Sequence, residues 1–271
     1  MDKSVQIRKL QNELKKRKKL RYYRNNPLEW MVDRLNFDPR NIKWSKYQGY
    51  SNHEWDDKDP DLITTDPLHR VLRGLANKND VGVEAGTGTG KTHLAATICL
   101  WFVDCWPKIN DPDTGEVLDP GGMVITVATK EDQLRQVIWK EIENFKPLFS
   151  NMHPDAEWMD LRLRMDPSKE SGSKEGWGIF GQTASVSSDE EVSTKFSGIH
   201  GPHMLFVMDE APGIDKPILE AIENTCTGNH NLRLALGNPQ SQNDSLHEFC
   251  TQPRVKHVRA SALDHPNVVL G

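Results

Sequence analysis

The stretch that most constrains the fold lies at residues 81–97. A short apolar run there is followed by a glycine-rich loop and then by apolar residues at helical spacing. Glycines let backbone N–H groups converge on phosphate oxygens at a helix N-terminus, where unpaired donors and the helix dipole favour an anion. This order of strand, loop and helix predicts a P-loop. Its residues are Gly86, Thr87, Gly88, Thr89, Gly90, Lys91 and Thr92, and Ala85 stands where the usual pattern has its first glycine.

The residue types in this loop indicate a nucleoside triphosphate as the ligand. Lys91 is expected to reach the β and γ phosphates, and the hydroxyl of Thr92 is expected to ligate Mg²⁺. The alternative is a glycine-rich turn that happens to precede a lysine. Because the flanking strand and helix patterns favour the phosphate site, ATP and Mg²⁺ are the predicted cofactors.

Composition sets outer limits on the class of protein. The chain has 271 residues, a net charge of −5 and 36% hydrophobic residues, which fits one large globular domain with or without an appendage. No run approaches the ~20 apolar residues of a membrane helix, and the basic N-terminus lacks the apolar core of a signal peptide. The four cysteines form no C-x-x-C pair, so their spacing suggests neither a zinc site nor a disulfide framework.

Strand-like and helix-like segments alternate along the chain, which favours a parallel sheet with right-handed crossovers. The predicted fold class is α/β, a P-loop NTPase of the ASCE/RecA-like type with a central, mainly parallel sheet flanked by helices. Residues 107–122 are expected to form a plain turn. Helices are predicted at residues 1–26, 27–35, 67–75, 91–105, 130–146, 216–225 and 245–250. Strands are predicted at residues 81–84, 123–129, 161–165, 177–183, 204–208, 232–236 and 255–260.

An acidic pair follows one of the buried strands. The apolar run at residues 204–208 ends in Asp209 and Glu210. Asp209 is expected to hold Mg²⁺ and Glu210 to polarise the attacking water, because a carboxylate occupied by metal cannot also act as the base. The alternative is a strand that ends in a solvated acidic turn. The position of the acidic pair downstream of a P-loop favours the catalytic interpretation.

A polar side chain also follows the next strand. Asn238 lies after residues 232–236, at the sheet edge where open α/β proteins bind ligands. It can contact the γ-phosphate or its water and couple hydrolysis to the rest of the domain. A Gly-Asn-Pro turn explains the same residues equally well.

Hydrolysis also requires positive charge near the leaving phosphate, often an arginine from a neighbouring subunit. Arg135 is the preferred candidate because its helix follows strand 123–129, and Lys195 and Arg164 are less favoured. Each is otherwise an ordinary surface charge. This helix is expected to bury Val137 on its apolar face and to end at Pro147.

The N-terminal segment is strongly basic. Residues 1–26 hold ten Lys/Arg against two acidic residues, with apolar residues at helical spacing. This pattern predicts a basic, weakly amphipathic helix that contacts nucleic-acid phosphates or a partner subunit, or else a solvated helix without a partner.

Four motifs, taken together, resemble a known family. The runs AGTGTGKT, VITVATKEDQLRQVIWKEI, TKFSGIHGPHMLFVMDEAPGI and LALGNPQ are similar to the large terminase subunits of tailed phages, motors that package DNA into capsids. The resemblance covers roughly residues 65–265. It implies that Lys91, Thr92, Asp209 and Glu210 have the roles given above, that Asn238 is the coupling position and that an arginine acts in trans.

The resemblance also implies a domain organisation and partners. Residues 1–64 are expected to be an N-terminal helical extension, residues 65–260 the ATPase domain and residues 261–271 the start of a linker to a nuclease domain. Nuclease activity is expected only in the full-length protein. The implied partners are double-stranded DNA, a portal protein and a small terminase subunit. A homo-oligomeric ring, expected to be a pentamer, would act in the host cytoplasm at the procapsid portal.

One departure from the family concerns the base of the nucleotide. The family often carries an aromatic-glutamine pair upstream of the P-loop that reads adenine. Here His69 lies in the corresponding stretch, and Gln48 lies further upstream beside Tyr47. Either position is a candidate for reading the base.

Two other functions fit parts of the pattern. A helicase-like, nucleic-acid-dependent ATPase would need a second RecA-like domain. A non-catalytic nucleotide-binding switch would not need the base that Glu210 supplies.

Overall fold

The computed structural model describes residues 3–42, 66–166, 176–184, 196 and 198–260. These residues contain ten strands: β1 Asp80–Ala85, β2 Ile109–Asn110, β3 Val117–Asp119, β4 Met123–Ala128, β5 Glu157–Met159, β6 Arg162–Arg164, β7 Gly178–Thr183, β8 Met204–Met208, β9 Asn231–Gly237 and β10 Val255–Ala260. Eight of them form a central sheet with the order β10-β1-β9-β8-β4-β7-β6-β5. The pairs from β10 to β7 are parallel, and β6 and β5 continue the sheet in antiparallel fashion. The predicted α/β fold with a mainly parallel sheet is therefore confirmed.

Helices cover both faces of the sheet because its central strands are apolar on both sides. The helices are α1 Lys3–Asn25, α2 Pro27–Leu35, α3 Pro67–Ala76, α4 Lys91–Cys105, α5 with segments Glu131–Gln133, Leu134–Trp139 and Lys140–Asn144, α6 Lys146–Met152, α7 Lys216–Thr225 and α8 Ser245–Thr251. One hydrophobic core lies under α1 to α6, and a second lies under α7 and α8. None of the helices among the described residues is long and apolar enough to cross a bilayer.

Local chemistry explains where α3 begins. The Asp66 carboxylate accepts a hydrogen bond from the backbone N–H of His69 at 3.1 Å, and Pro67 occupies the first turn. An aspartate cap and an N-terminal proline both satisfy the unpaired start of a helix. The helix then packs over β1 and β10 on the same face as α4.

The basic N-terminal helix is anchored at its C-terminal end. Leu20 and Tyr23 are buried in the core that α4 shares, and the Trp101 indole N–H donates to the Tyr23 carbonyl at 3.0 Å. In α2, the Trp30 indole N–H donates to the buried Asp104 carboxylate at 2.6 Å. The described part of the extension therefore shares its hydrophobic core with α4. The predicted boundary near residue 64 falls in a stretch outside the described residues.

Helix α5 differs from the prediction. Its middle segment, Leu134–Trp139, is a π-helix, and this wider turn leaves Val137 37% exposed instead of on the apolar face. The helix ends at Asn144, before Pro147. Pro147 instead lies in the first turn of α6, where its missing N–H costs nothing.

Two further differences concern short strands. Residues 107–122 were predicted to be a turn, but they contain the antiparallel pair of β2 and β3. Strand β5 was not predicted, and it pairs with β6 at the sheet edge. Strands β2, β3 and β5 have two or three residues each and carry too little alternation to be predicted from the sequence.

Candidate active site

The P-loop connects β1 to α4 and takes a backbone shape that its glycines permit. Gly88 and Gly90 have φ angles of +71° and +90°, in the left-handed region that favours glycine. A Cβ at Gly90 would lie 2.6 Å from the carbonyl oxygen of Asn41. Gly90 is also the residue before α4, so the loop delivers the N-terminus of that helix to the carboxyl edge of the sheet.

Lys91 is folded back over this loop. Its side chain is almost fully buried, and Nζ donates to the carbonyl of Gly86 at 2.5 Å. Thr89 Oγ1 donates to the same carbonyl at 2.8 Å. Burial lowers the pKa of Lys91, while the nearby carboxylates of Glu210 and Asp209 act in the opposite direction. The loop therefore encloses an ammonium group at the position where phosphate charge would be neutralised.

The sheet order brings the acidic strand to the P-loop. Strand β9 lies between β1 and β8, and the hydroxyl of Thr92 donates to Oδ2 of Asp209 at 3.2 Å. Asp209 is only 3% exposed, and burial, with the neighbouring Glu210 charge, raises its pKa to about 6. A hydroxyl and a carboxylate side by side are oxygen ligands of the kind that Mg²⁺ takes. The donor set therefore fits the predicted cation.

Glu210 has an unusual backbone. Its φ is +51°, in the left-handed region, and a non-glycine residue there carries strain of about 1–3 kcal/mol. Its backbone N–H donates to Oδ1 of Asp209 at 3.2 Å, and its side chain is exposed. The strained turn presents one carboxylate to solvent at the sheet edge while Asp209 stays buried.

Asn238 approaches the P-loop from β9. Its Nδ2 lies 3.5 Å from Oγ1 of Thr87, at the outer limit of a hydrogen bond. Both residues follow the carboxyl ends of adjacent parallel strands, β9 and β1. The side chain is therefore within reach of a ligand in the loop.

Arg135 lies apart from this group. Its guanidinium bonds to Asp160 and, at 2.5 Å, to Glu131, and both hydrogen bonds raise its pKa. The side chain is exposed on α5, and these contacts hold it to acidic neighbours rather than to the P-loop of its own chain. Arg164 lies 4.0 Å from Glu157, and Lys195 lies outside the described residues.

Of the two candidates for recognition of the nucleotide base, the structure describes His69 only. His69 is 6% exposed on α3, and burial lowers the pKa of its imidazole. Gln48, like Tyr47, lies outside the described residues. Recognition of adenine by either residue stays a prediction.

One group near the P-loop was not predicted from the sequence. Glu84 is 2% exposed on β1, and it accepts hydrogen bonds from His247 Nδ1 at 3.1 Å and Arg259 Nε at 2.9 Å. These three residues line a cavity of about 420 Å³ that also borders Gly86 and Asn238. The signal in the sequence that could have found it is a glutamate inside an otherwise apolar strand, VGVEA.

Comparison with known proteins gives a curated relative. The chain is 25% identical over 177 residues to a probable terminase large subunit of Enterobacteria phage P7, covering 63% of this chain and 32% of that protein. The chain thus spans about a third of the length of the curated relative that it matches. No family model matches the chain.

The chain also resembles solved structures of terminases. A mutant of the large terminase ATPase domain of Thermus phage P74-26 has a TM-score of 0.49 at 14% identity, covering 86% of this chain and 85% of that one. The large terminase of a thermophilic bacteriophage in complex with ADP has a TM-score of 0.48 at 10% identity, covering 73% of this chain and 44% of that one. The match to the phage P7 protein confirms that this chain resembles the large terminase subunits of tailed phages, as its four motifs predicted.

Proposed function

We propose that this chain is the ATP-hydrolysing motor domain of a phage large terminase, which drives double-stranded DNA into a capsid. The observation that carries the proposal is the 3.2 Å contact between Thr92 and Asp209. This contact supports the proposal because it brings together two residues, far apart in the sequence, that would form the two halves of a Mg²⁺-nucleotide site. The likeness to the probable terminase large subunit of phage P7 supports the packaging role.

Each side chain has a distinct task in the proposed reaction. The backbone N–H groups from Gly86 to Gly90 bind the phosphates, and Lys91 exchanges the Gly86 carbonyl for phosphate oxygens. Thr92 and Asp209 would hold Mg²⁺, which would supply neutralisation of the phosphate charge.

We assign activation of the attacking water to Glu210, the residue next to the proposed metal ligand Asp209. Glu210 is exposed at the sheet edge, next to the buried Asp209, and orients the attacking water. Asn238, 3.5 Å from Thr87, would detect the γ-phosphate and transmit its loss along β9.

The remaining positive charge is proposed to come from Arg135 of a neighbouring copy in a ring, expected to be a pentamer. A surface position on α5 suits a group that reaches across an interface, although Glu131 and Asp160 hold it in the single chain. Portal protein, small terminase subunit and double-stranded DNA are the proposed partners, at the procapsid portal in the host cytoplasm. Nuclease activity is assigned to a longer protein, in which residues 261–271 would begin the linker.

The proposal is tested by ATP turnover with Mg²⁺. Lys91→Ala should abolish phosphate release, because the buried ammonium at the loop is lost, while Lys140→Ala on the exposed face of α5 should retain it. Turnover that survives Lys91→Ala would overturn the site assignment. Tight nucleotide binding without phosphate release, alone and in assembly, would instead indicate a switch module.

The DNA-packaging part needs a second assay. The longer parent protein should move duplex DNA into portal-bearing procapsids in an ATP-dependent manner, and the Lys91→Ala form should not. Strand separation in place of packaging would favour the helicase-like alternative.

A further inference from the structure

A second cluster of metal-binding side chains lies behind the P-loop, on the α8 face of the sheet. Its core is Glu84 on β1, Cys250 on α8 and His257 on β10. One ligand atom from each of these three residues lies within 4.8 Å of the other two. His247 lies one turn before Cys250 on α8 and contacts the same glutamate.

The glutamate is the centre of the cluster. Glu84 Oε1 lies 3.1 Å from His247 Nδ1, and Oε2 lies 3.1 Å from His257 Nε2. The contact with His257 lacks hydrogen-bond geometry, so this buried nitrogen has no hydrogen-bond partner among the described residues. A buried ring nitrogen left without a partner is costly, and a coordinated cation removes that cost.

The sulfur is brought to the cluster by a glycine. Gly82 lies opposite His257 in the parallel register of β1 and β10, and a Cβ there would lie 2.4 Å from Cys250 Sγ. Only a residue without a side chain lets the sulfur approach the sheet at this point. Glu84 then follows Gly82 on the same face of β1.

We propose that Glu84, Cys250 and His257 bind a divalent, borderline-soft cation of the Zn²⁺ class, and that His247, which contacts Glu84 but is not one of these three mutually close residues, moves in as the fourth ligand. Thiolate, imidazole and carboxylate are all ligand types that Zn²⁺ takes, and four ligands complete its tetrahedral coordination. Hard cations such as Mg²⁺ prefer oxygen and are disfavoured by the sulfur. Coordination releases the Cys250 thiol proton to solvent, and the carboxylate and thiolate then balance the charge of the cation.

The positive charge of Arg259 disfavours binding of a cation at this cluster, because Arg259 forms an ion pair with Glu84. Its guanidinium lies 2.8 Å from Glu84 Oε2, but its side chain is 66% exposed and can turn to solvent. The cavity of about 420 Å³ lined by Glu84, His247 and Arg259 offers the ion a route to the site. The bound ion would join α8, β10 and β1 two residues before Gly86 and so stiffen the start of the P-loop.

The proposal is tested with Co²⁺ as a spectroscopic substitute on the chelator-treated protein. One equivalent should bind and show a thiolate-to-cobalt charge-transfer band, which zinc should displace. Cys250→Ser should abolish the band and His257→Gln should weaken binding at least tenfold, whereas Cys226→Ser, at a half-buried thiol elsewhere, should keep it. Arg259→Ala should tighten binding, because the competing cation is removed.

The outcomes separate this proposal from the proposed function. A charge-transfer band that is absent, or that persists in Cys250→Ser, overturns the metal site and shows that the cluster is an ion pair only. The band does not depend on nucleotide, so Lys91→Ala should bind cobalt as the wild type does. Failure of ATP turnover would leave the metal result unchanged.

Discussion

The hydroxyl of Thr92 lies 3.2 Å from Oδ2 of Asp209, across 117 residues of sequence. Thr92 lies in the first turn of α4, and Asp209 follows the buried strand β8. Their contact places the start of a helix and the end of a strand around one point at the carboxyl edge of the sheet. Four predictions about this edge and its supports follow from the side-chain environments.

Asp209→Asn should stabilise the nucleotide-free and metal-free protein at pH 8. Burial raises the folded-state pKa of Asp209 from 3.8 to about 6, so its contribution to stability is complete below pH 3.8 and is lost as the pH rises through 6. The charged form therefore costs on the order of 2–3 kcal/mol at pH 8. Urea denaturation from pH 3 to pH 8 measures the difference in the free energy of unfolding, which should vanish at the acid end.

This variant has one control and one further expected effect. Asp132→Asn, which makes the same change at an exposed carboxylate on α5, is the matched control. Asp209→Asn should also lose ATP turnover, because an amide replaces the anionic metal ligand. Equal stability of Asp209→Asn and wild type at every pH would contradict the environment assigned to this carboxyl.

Glu210→Gln should separate binding from hydrolysis. The amide keeps the size of the side chain but cannot accept a proton, so turnover should fall by about 10²–10⁴. Nucleotide affinity should stay within a few-fold, because Glu210 is exposed and the phosphates are held by the P-loop. Single-turnover phosphate release and equilibrium nucleotide binding measure the two effects. Glu220→Gln on α7 is the matched control, and a similar loss in both variants would refute the role of the base.

Arg135→Ala should affect only the assembled protein. In the single chain its guanidinium contacts Glu131 and Asp160, so monomer turnover should match that of the wild type. In the assembly a missing trans-acting arginine should lower turnover by about 10³ or more. Arg254→Ala, at another exposed arginine, is the control. The same activity of Arg135→Ala and wild type in the assembly would remove this residue from the mechanism.

Asp104→Ala should destabilise the protein strongly. This carboxylate is 1% exposed and accepts hydrogen bonds from the Trp30 indole at 2.6 Å, from His153 at 2.8 Å and from Arg34 at 3.4 Å. Removing it leaves these donors buried or partly buried without their acceptor, at a cost of about 3–5 kcal/mol. Chemical denaturation measures the loss, and Asp113→Ala at an exposed carboxylate should have little effect.

The pH dependence of this site has the opposite sign to that of Asp209. Against the effect of burial, His153, Arg34 and Trp30 together lower the pKa of Asp104, so its contribution is present above the ordinary carboxyl pKa and is lost as the pH falls through the folded value. Limited proteolysis should release α1 and α2 from Asp104→Ala before the rest of the domain unfolds. Intact N-terminal helices in that variant would show that Leu20 and Tyr23 anchor them without the polar contact.

Much of the secondary structure was predictable because it depends on local chemistry. Strand β8 is five apolar residues buried on both faces, and α7 lies between Asp215 and Cys226 as predicted. The π-turn in α5 was not predictable, since its spacing mimics an ordinary amphipathic helix. Strand β6 was predicted within residues 161–165, whereas its edge partner β5 was too short to show a period.

The candidate site also contains a part that could be predicted from local sequence and a part that could not. The P-loop could be predicted from the sequence because all of its features lie close together in the chain. They are glycines that permit the positive φ angles of Gly88 and Gly90, followed directly by a lysine at the start of a helix. The Glu84 cluster could not be predicted, because its members come from β1, α8 and β10 and share no spacing. The scattered cysteines suggested no metal site for this reason.

The sequence by itself determined the glycine-rich loop between a strand and a helix, the acidic pair at Asp209 and Glu210 and the α/β alternation. The tertiary structure decided which of these residues meet. Placing β9 between β1 and β8 brings Asp209 to Thr92 and Asn238 to Thr87, and the register of β1 with β10 sets Gly82 beside His257. Pairing between distant strands depends on long-range packing, and local residue spacing does not specify it.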